Sequence, residues 1–312
     1  MVLFTIIFIN VAIYALLVIY SKLTCGINKC SKHLVGKIVL VTGGNAGIGY
    51  ETAKDLADRG AKIILGCRSV VRGTAARDKI IAETGNSNVH VKQLDLASFK
   101  SIRACADDII KNEKQLHILI NNAGMVGTSY MKTEDGLLLD MQANHFGPFL
   151  LTSLLLPLLK SSAPSRIINL SSDAHTRGKV NLDDLNMEKE KYSSLQSYCN
   201  TKLCNVLMTS ELAKRLAGTG VTTYSVHPGG VLTDILRDHW WAPLFKVVVA
   251  PMFKSPWAGA QTTNYLAVSP EVDSLSGKYF ADCREKTASL LGRDEKLAEG
   301  LWHVSEKITK LK

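Results

Sequence analysis

The sequence predicts an α/β fold: a doubly wound, mostly parallel sheet with helices on both faces, forming a single domain preceded by an N-terminal transmembrane helix. Three observations predict it. Short apolar strands alternate with helical stretches from residue 36 to residue 226, the pattern of parallel strands joined by helical crossovers. A glycine-rich turn, Gly43 to Gly49, joins the first strand to the first helix. Ahead of them, residues 2–20 are apolar with only Thr5 and Asn10 as interruptions.

That leading run would measure about 28 Å as a helix, close to the hydrocarbon thickness of a bilayer, and is expected to span it. A cleavable signal peptide is the competing reading, but there is no basic n-region and no small-x-small cleavage site. Lys22, Lys29, Lys32 and Lys37 all follow the run, which by the positive-inside rule places the rest of the chain in the cytosol. The chain divides into an anchor (1–21), a juxtamembrane linker (22–35) and one folded domain (36–312). The seven cysteines are odd in number and lack framework spacing, so free thiols in a reducing compartment are expected. Cys25 and Cys30 stand where acylation occurs, although unmodified thiols are the simpler expectation.

Composition is that of a folded globular protein, 46% hydrophobic and 21% charged over 312 residues. The net charge of +9 permits an anionic partner. The basic residues are scattered, however, with no Lys/Arg block interleaved with aromatics, which argues against nucleic acid. No Cys/His cluster suggests a metal.

Taken in order, residues 38–41 read as a strand, 48–59 as a helix and 62–65 as a second strand, a βαβ unit. Strand 89–94, helix 98–112, strand 116–120 and a long helix from about 133 to 160 follow. Strand 166–170, a helix over the 193–217 stretch and strand 221–226 complete the alternation. The helix over 193–217 rests on Leu203, Val206, Leu207 and Leu212 at helical spacing, with Ser193, Ser194 or Ser197 as the cap.

Gly43, Gly47 and Gly49 let the backbone turn sharply and approach a pyrophosphate, which the N-terminus of the following helix stabilises. The spacing is Gly-x-x-x-Gly-x-Gly, and a P-loop is excluded because no Gly-Lys-Ser/Thr ending follows. The strand and helix around it make this a Rossmann-type nucleotide site. The second strand ends in Gly66-Cys67-Arg68 without a carboxylate to accept ribose hydroxyls. A guanidinium there pairs with a 2′-phosphate, so NADP(H) is expected over NAD(H). The alternative for Arg68 is an exposed residue opening the next helix.

Tyr198 and Lys202 are four residues apart and leave one helix face together. An ammonium near a phenol favours phenolate, and such a tyrosine exchanges a proton with an alcohol or carbonyl oxygen. Alone the pair is weak evidence. The cofactor loop upstream gives it weight.

These motifs together resemble the short-chain dehydrogenase/reductase family, and within it the membrane-anchored retinol dehydrogenases. The resemblance covers about residues 36–280. It is carried by TGGNAGIG (Thr42 to Gly49), DLAS (from Asp95), NNAG (from Asn121), NHFG (from Asn144), NLSS (from Asn169), YCNTK (Tyr198 to Lys202) and HPGGVLTD (from His227). It implies that Tyr198 is the acid/base, that Lys202 lowers its pKa and holds the nicotinamide ribose, and that Ser172 positions the substrate oxygen. Asn144 would hold a water relaying protons to Lys202. Two hydroxyl donors aimed at a carbonyl oxygen stabilise the charge that hydride transfer develops there. Ser171 is expected instead to bond nearby backbone.

For the cofactor the resemblance implies Gly43, Asn45, Gly47, Ile48 and Gly49 around the pyrophosphate, and Asp95 with Leu96 at the adenine. It places Asn122 and Gly124 beside the ribose. Pro228, Gly229, Val231 and Thr233 would meet the nicotinamide and its phosphate. Asp95 has a structural alternative, accepting backbone bonds at the next helix start, and Asn121 is expected to tie strands together. His145, His175 and His227 are expected to be satisfied polar residues, since a tyrosine acid makes a histidine unnecessary.

The interval from Ser172 to Tyr198 is longer than in soluble members, which implies an inserted loop. Residues 235–257, apolar and aromatic with basic interruptions, are either a substrate lid resting in the membrane interface or a segment packed on the core or on a second subunit. The expected activity is NADP(H)-dependent hydride exchange with a lipophilic alcohol or carbonyl, retinol/retinal first. Steroid, fatty-aldehyde and isoprenoid carbonyls remain alternatives, as does a catalytically silent nucleotide-binding scaffold on a membrane. The expected partners are a lipophilic small molecule and the membrane, with a homodimer left open, and the expected location is the endoplasmic reticulum.

Overall fold

The computed structural model describes residues 8–9, 12–16, 18, 25–127, 129–189, 191–231 and 253–311. One eight-stranded sheet organises them, in the order β3-β2-β1-β4-β5-β6-β7-β8. Its strands are β1 (Ile38–Thr42), β2 (Lys62–Cys67), β3 (Val89–Gln93), β4 (Ile118–Asn121), β5 (Ser165–Leu170), β6 (Val221–His227), β7 (Tyr279–Ala281) and β8 (Arg284–Lys286). Every pairing is parallel except that of β7 with β8. Strand order reverses direction between β1 and β4, and in open sheets of this kind ligands bind beyond the strand ends at that switch point.

Neighbouring residues of one strand feed opposite cores, as the pleat requires. Val39, Val41, Ile63 and Leu65 enter one apolar cluster, while Leu40 and Ile64 enter the other. The first core is closed by α1 (Gly47–Asp58), α2 (Val70–Thr84) and α6 (Pro256–Val268). The second is closed by α3 (Phe99–Asn112), α4 (Gly147–Ser161) and α5 (Ser194–Arg215), and Trp302 of α7 (Glu295–Ile308) joins it. Burial on both faces explains why the central strands read as unbroken apolar runs.

The expected long helix from 133 to 160 is shorter. Gly136 has φ of 77°, Lys132 bridges Leu138, and the Thr133 N–H donates to the Leu137 carbonyl. A tight turn therefore occupies 132–138. A single turn at Leu139–Met141 and a π-helical turn at Gln142–Phe146 then lead into α4. The expected helix over 193–217 is α5, and of the three candidate caps it is the Ser193 side chain that accepts from the Gln196 N–H.

Among the described residues no helix is long and apolar enough to cross a membrane. Residues 8–9, 12–16 and 18 are helical, and Phe8, Ile9, Ile13 and Leu16 are exposed. The rest of the 2–20 run lies outside the described residues, as do residues 235–252 of the expected lid and, ahead of it, Thr233.

Candidate active site

The glycine turn stands at the C-terminal end of β1, beside the switch point. Gly43 and Gly47 adopt φ of 66° and 56°, which L side chains rarely tolerate. Gly49 is constrained by space, because a β-carbon there would lie 2.5 Å from the Gly43 carbonyl oxygen and closer still to the Asn122 carboxamide. The turn opens α1, whose N-cap, Ala46, supplies no capping side chain. No side chain therefore competes with a ligand oxygen for the first N–H groups, and the turn fits a pyrophosphate.

The far wall of this crevice is tied to the turn. The Thr42 hydroxyl accepts from the N–H groups of Asn122 and Ala123, both at 3.0 Å, and Asn122 Nδ2 donates to the Thr42 carbonyl at 2.8 Å. Thr42 thus fixes the geometry between β1 and β4. Asn121 ties strands, donating to Asn169 Oδ1 at 2.8 Å and to the Thr152 hydroxyl at 2.9 Å. Asp95 Oδ1 accepts from the Ala97 N–H at 3.0 Å, so its carboxylate serves the turn that enters α3. Leu96 is buried against Gly147. Arg68 is exposed just beyond β2, and no acid stands beside it at that strand end.

The groups expected to handle the proton gather at the ends of β5 and β6. Tyr198 and Lys202 share one face of α5, and the ammonium lies 5.5 Å from the centre of the phenol ring. Lys202 is 4% exposed and donates to the Leu170 carbonyl at 3.1 Å. Burial pushes its pKa down to about 8. Burial also pushes the Tyr198 phenol up, against the nearby Ser172 hydroxyl, which pulls it down. The expected lowering of Tyr198 by Lys202 is not found in this arrangement: desolvation outweighs the Ser172 hydroxyl, and the net direction is up. Ser171 donates to the Lys202 carbonyl at 2.7 Å, a backbone role that leaves Ser172 as the serine facing Tyr198.

Asn144 sits inside the π-helical turn. Its Oδ1 accepts from the Met125 N–H at 2.8 Å, and its Nδ2 donates to the Met125 carbonyl and to the Thr201 hydroxyl. A β-carbon on Gly124 would lie 3.3 Å from Lys202 Nζ and 3.4 Å from Asn144 Oδ1, so both polar groups face one space beside Gly124. Beyond β6, the Lys254 side chain lies across Gly229, which has φ of 90°, and forms an ion pair with Asp282. Val231 bridges Lys254. Lys254 was not among the candidate residues, because a lone lysine after an apolar segment carries no motif; only the β6–β7 packing brings it to the Pro228–Gly230 turn.

A glycine turn beneath an uncapped helix at the switch point, with Ser172, Tyr198 and Lys202 across the crevice, defines a nucleotide-dependent oxidoreductase site. The chain belongs to the short chain dehydrogenase family, whose model matches residues 37–241. It uses a nicotinamide nucleotide and acts on alcohol or carbonyl groups, as that family does. Among its relatives, retinol dehydrogenase 12 of Bos taurus is 50% identical over 281 residues, covering 90% of this chain and 88% of that protein. Retinol dehydrogenase 11 of Mus musculus is 50% identical over 291 residues, covering 92% and 90%. Among solved structures, an uncharacterized protein from Mycobacterium paratuberculosis superposes with a TM-score of 0.72 at 32% identity, covering 89% of this chain and 95% of that one. A short chain dehydrogenase from Burkholderia cenocepacia J2315 in complex with NADP gives a TM-score of 0.64 at 25% identity, covering 80% and 97%.

Proposed function

We propose that the protein is an NADP(H)-dependent, membrane-anchored retinol/retinal-type oxidoreductase. The observation that carries the reading is the joint placement of a buried Lys202 beside the Tyr198 ring, the Ser172 hydroxyl next to Tyr198 and the uncapped glycine turn around one crevice. Bound there, the nicotinamide ring supplies or accepts the hydride. Gly43, Asn45, Gly47, Ile48 and Gly49 hold the pyrophosphate, and Arg68 pairs with the 2′-phosphate. Asn122, Gly124 and Lys202 hold the ribose, and Pro228, Gly229, Val231 and Thr233 meet the nicotinamide end.

In reduction, the Ser172 and Tyr198 hydroxyls both donate to the carbonyl oxygen and stabilise the negative charge that develops on it. Tyr198 then transfers its proton to that oxygen. Lys202 places a positive charge next to the resulting phenolate, and Asn144, facing the same space, leads toward proton resupply. Oxidation reverses each step.

Support for the lipid-like substrate comes from relatives that bear the name retinol dehydrogenase and are about half identical to this chain. Support for the anchor comes from the apolar 2–20 run, whose described residues are helical with Phe8, Ile9, Ile13 and Leu16 exposed. The test is oxidation of NADPH by the purified protein against retinal, a steroid ketone and a long-chain aldehyde, each repeated with NADH. Turnover of retinal with NADPH in preference to NADH is expected. Failure with every carbonyl, and with the matching alcohols and NADP, would overturn the reading.

A further inference from the structure

The peptide that links Ser172 to Asp173 is held at both ends by imidazoles. Its carbonyl accepts from His175 twice, from Nδ1–H at 2.7 Å and from the backbone N–H at 3.1 Å. Its N–H donates to His227 Nδ1 at 3.1 Å. His175 comes from the short helical turn Asp173–Arg177 and His227 ends β6, so two separate elements grip one peptide. His175 is 1% exposed, its ring lies 4.7 Å from that of Tyr279, and its Nε2 accepts from the Ser289 N–H at 3.1 Å.

These contacts fix both tautomers. His175 must carry its proton on Nδ1 to donate to Ser172 while accepting at Nε2 from Ser289. His227 must keep Nδ1 free of a proton to accept from Asp173, so its proton is on Nε2. Neither ring can be an imidazolium and still accept. Burial, which pushes both pKa values down, agrees with two neutral rings. Neither histidine is thereby available as an acid or base.

We propose that His175 and His227 are positioning residues for Ser172, a two-imidazole clamp that aims its hydroxyl at Tyr198. The role rests on the reading of Ser172 as the hydroxyl that holds the substrate oxygen. Ser172 is extended, at φ −161° and ψ 160°, and its Oγ accepts from the Ala174 N–H at 3.2 Å. With the peptide plane held on both edges, the direction of the Ser172 Cα–Cβ bond is fixed before substrate arrives. Small displacements of an aligned group, on the order of 1 Å, cost about a hundredfold in rate.

The test compares leucine and asparagine at each position in the full-length protein. Leucine removes the polar contact, whereas an asparagine carboxamide offers a donor or an acceptor where Nδ1 stands. His175→Leu and His227→Leu are expected to lower kcat by about 10- to 100-fold while NADPH binding changes by less than about twofold. His175→Asn and His227→Asn are expected to restore kcat to within about threefold of the unmodified protein. Leucine variants with unchanged kcat, or asparagine variants as impaired as the leucine ones, would overturn the clamp. Imidazole ¹⁵N spectra of the unmodified protein near neutral pH give a check that needs no activity. His175 is expected as the Nδ1–H tautomer and His227 as the Nε2–H tautomer, each assigned by its asparagine variant; the reverse pattern at either ring would overturn the proposal. If no alcohol or carbonyl is turned over at all, the catalytic reading fails, and the spectra still decide whether the clamp exists.

Discussion

The Lys202 ammonium and the Asn205 carboxamide donate to one acceptor, the Leu170 carbonyl, at 3.1 and 3.0 Å. Among the described residues that shared oxygen is the one hydrogen-bond acceptor of the buried ammonium, so Lys202 stays charged at a cost to folding that burial makes large. Lys202→Met keeps most of the volume and removes the charge. Turnover is expected to fall by at least about two orders of magnitude, while the thermal midpoint stays level or rises by a few degrees. A midpoint lowered by more than about 5 °C would mark Lys202 as a structural residue instead.

Tyr198 is tested by removal of one atom. The phenol is pushed up by burial, so it enters the reaction protonated, as a donor in the reductive direction. Tyr198→Phe is expected to bind NADPH within a few-fold of the unmodified protein and to lose at least about a hundredfold in kcat. Near-normal turnover by a folded variant would remove Tyr198 from the proton path.

Arg68 stands exposed where β2 ends without a carboxylate. The 2′-phosphate proposed as the partner of its guanidinium exists only on the phosphorylated cofactor. Arg68→Ala is expected to weaken NADPH by about 2 kcal/mol, roughly thirtyfold, and to leave NADH nearly unchanged. Titration of both cofactors against both proteins checks this, and an equal loss for each would assign Arg68 to structure.

His145 gives the pH dependence of stability. Its Nε2 lies 3.0 Å from the Ser305 hydroxyl, and complete burial pushes its pKa from the ordinary 6.5 down to about 3. The unfolded chain therefore takes up a proton that the folded one refuses. The contribution is fully favourable above pH 6.5 and is lost as pH falls toward 3, at up to about 1.4 kcal/mol per pH unit. Urea unfolding at pH 7, 6 and 5 is expected to show a steeper loss for the unmodified protein than for His145→Gln. Parallel slopes would show that His145 is reached by protons in the folded state.

How much of this was legible in the sequence follows from what each residue touches. The strands of the central sheet were readable because Val39, Leu40 and Val41 are all wholly buried, which leaves no polar residue to interrupt the run. The turn at 132–138 and the π-helical turn at Gln142–Phe146 were not. Neither changes the apolar pattern, and a π turn differs from an α turn only in which carbonyl each N–H finds. Helix α6 was missed for a related reason. It buries Gln261, Thr262, Thr263 and Asn264, so no apolar stripe announces it, and its Gly259 instead allows close approach to Val231 and Ile48. In the site, Tyr198, Lys202 and Ser172 stood out through motif spacing. The ion pair of Lys254 with Asp282 and the His227 half of the clamp did not, because each joins residues far apart in sequence.

The apolar run at residues 2–20 leads to a topological prediction. Its length matches a bilayer, and Lys22, Lys29, Lys32 and Lys37 all lie after it, which assigns that side to the cytosol. The seven cysteines are all free, as a reducing compartment allows. The full-length protein is expected to resist alkaline extraction, and a protease added outside intact microsomes is expected to digest the catalytic domain. Asn169-Leu170-Ser171 offers an independent check, because it forms a glycosylation sequon. Asn169 is 2% exposed within β5, and its carboxamide donates to the Thr209 hydroxyl at 2.9 Å, so the folded domain has no room for a glycan there. On the cytosolic side the sequon is never offered to the glycosylation machinery, and no shift in mass on deglycosylation is expected. A domain protected from protease until detergent is added would reverse the orientation. Glycosylation of Asn169 would show, in addition, that the chain meets the lumen before β5 has folded.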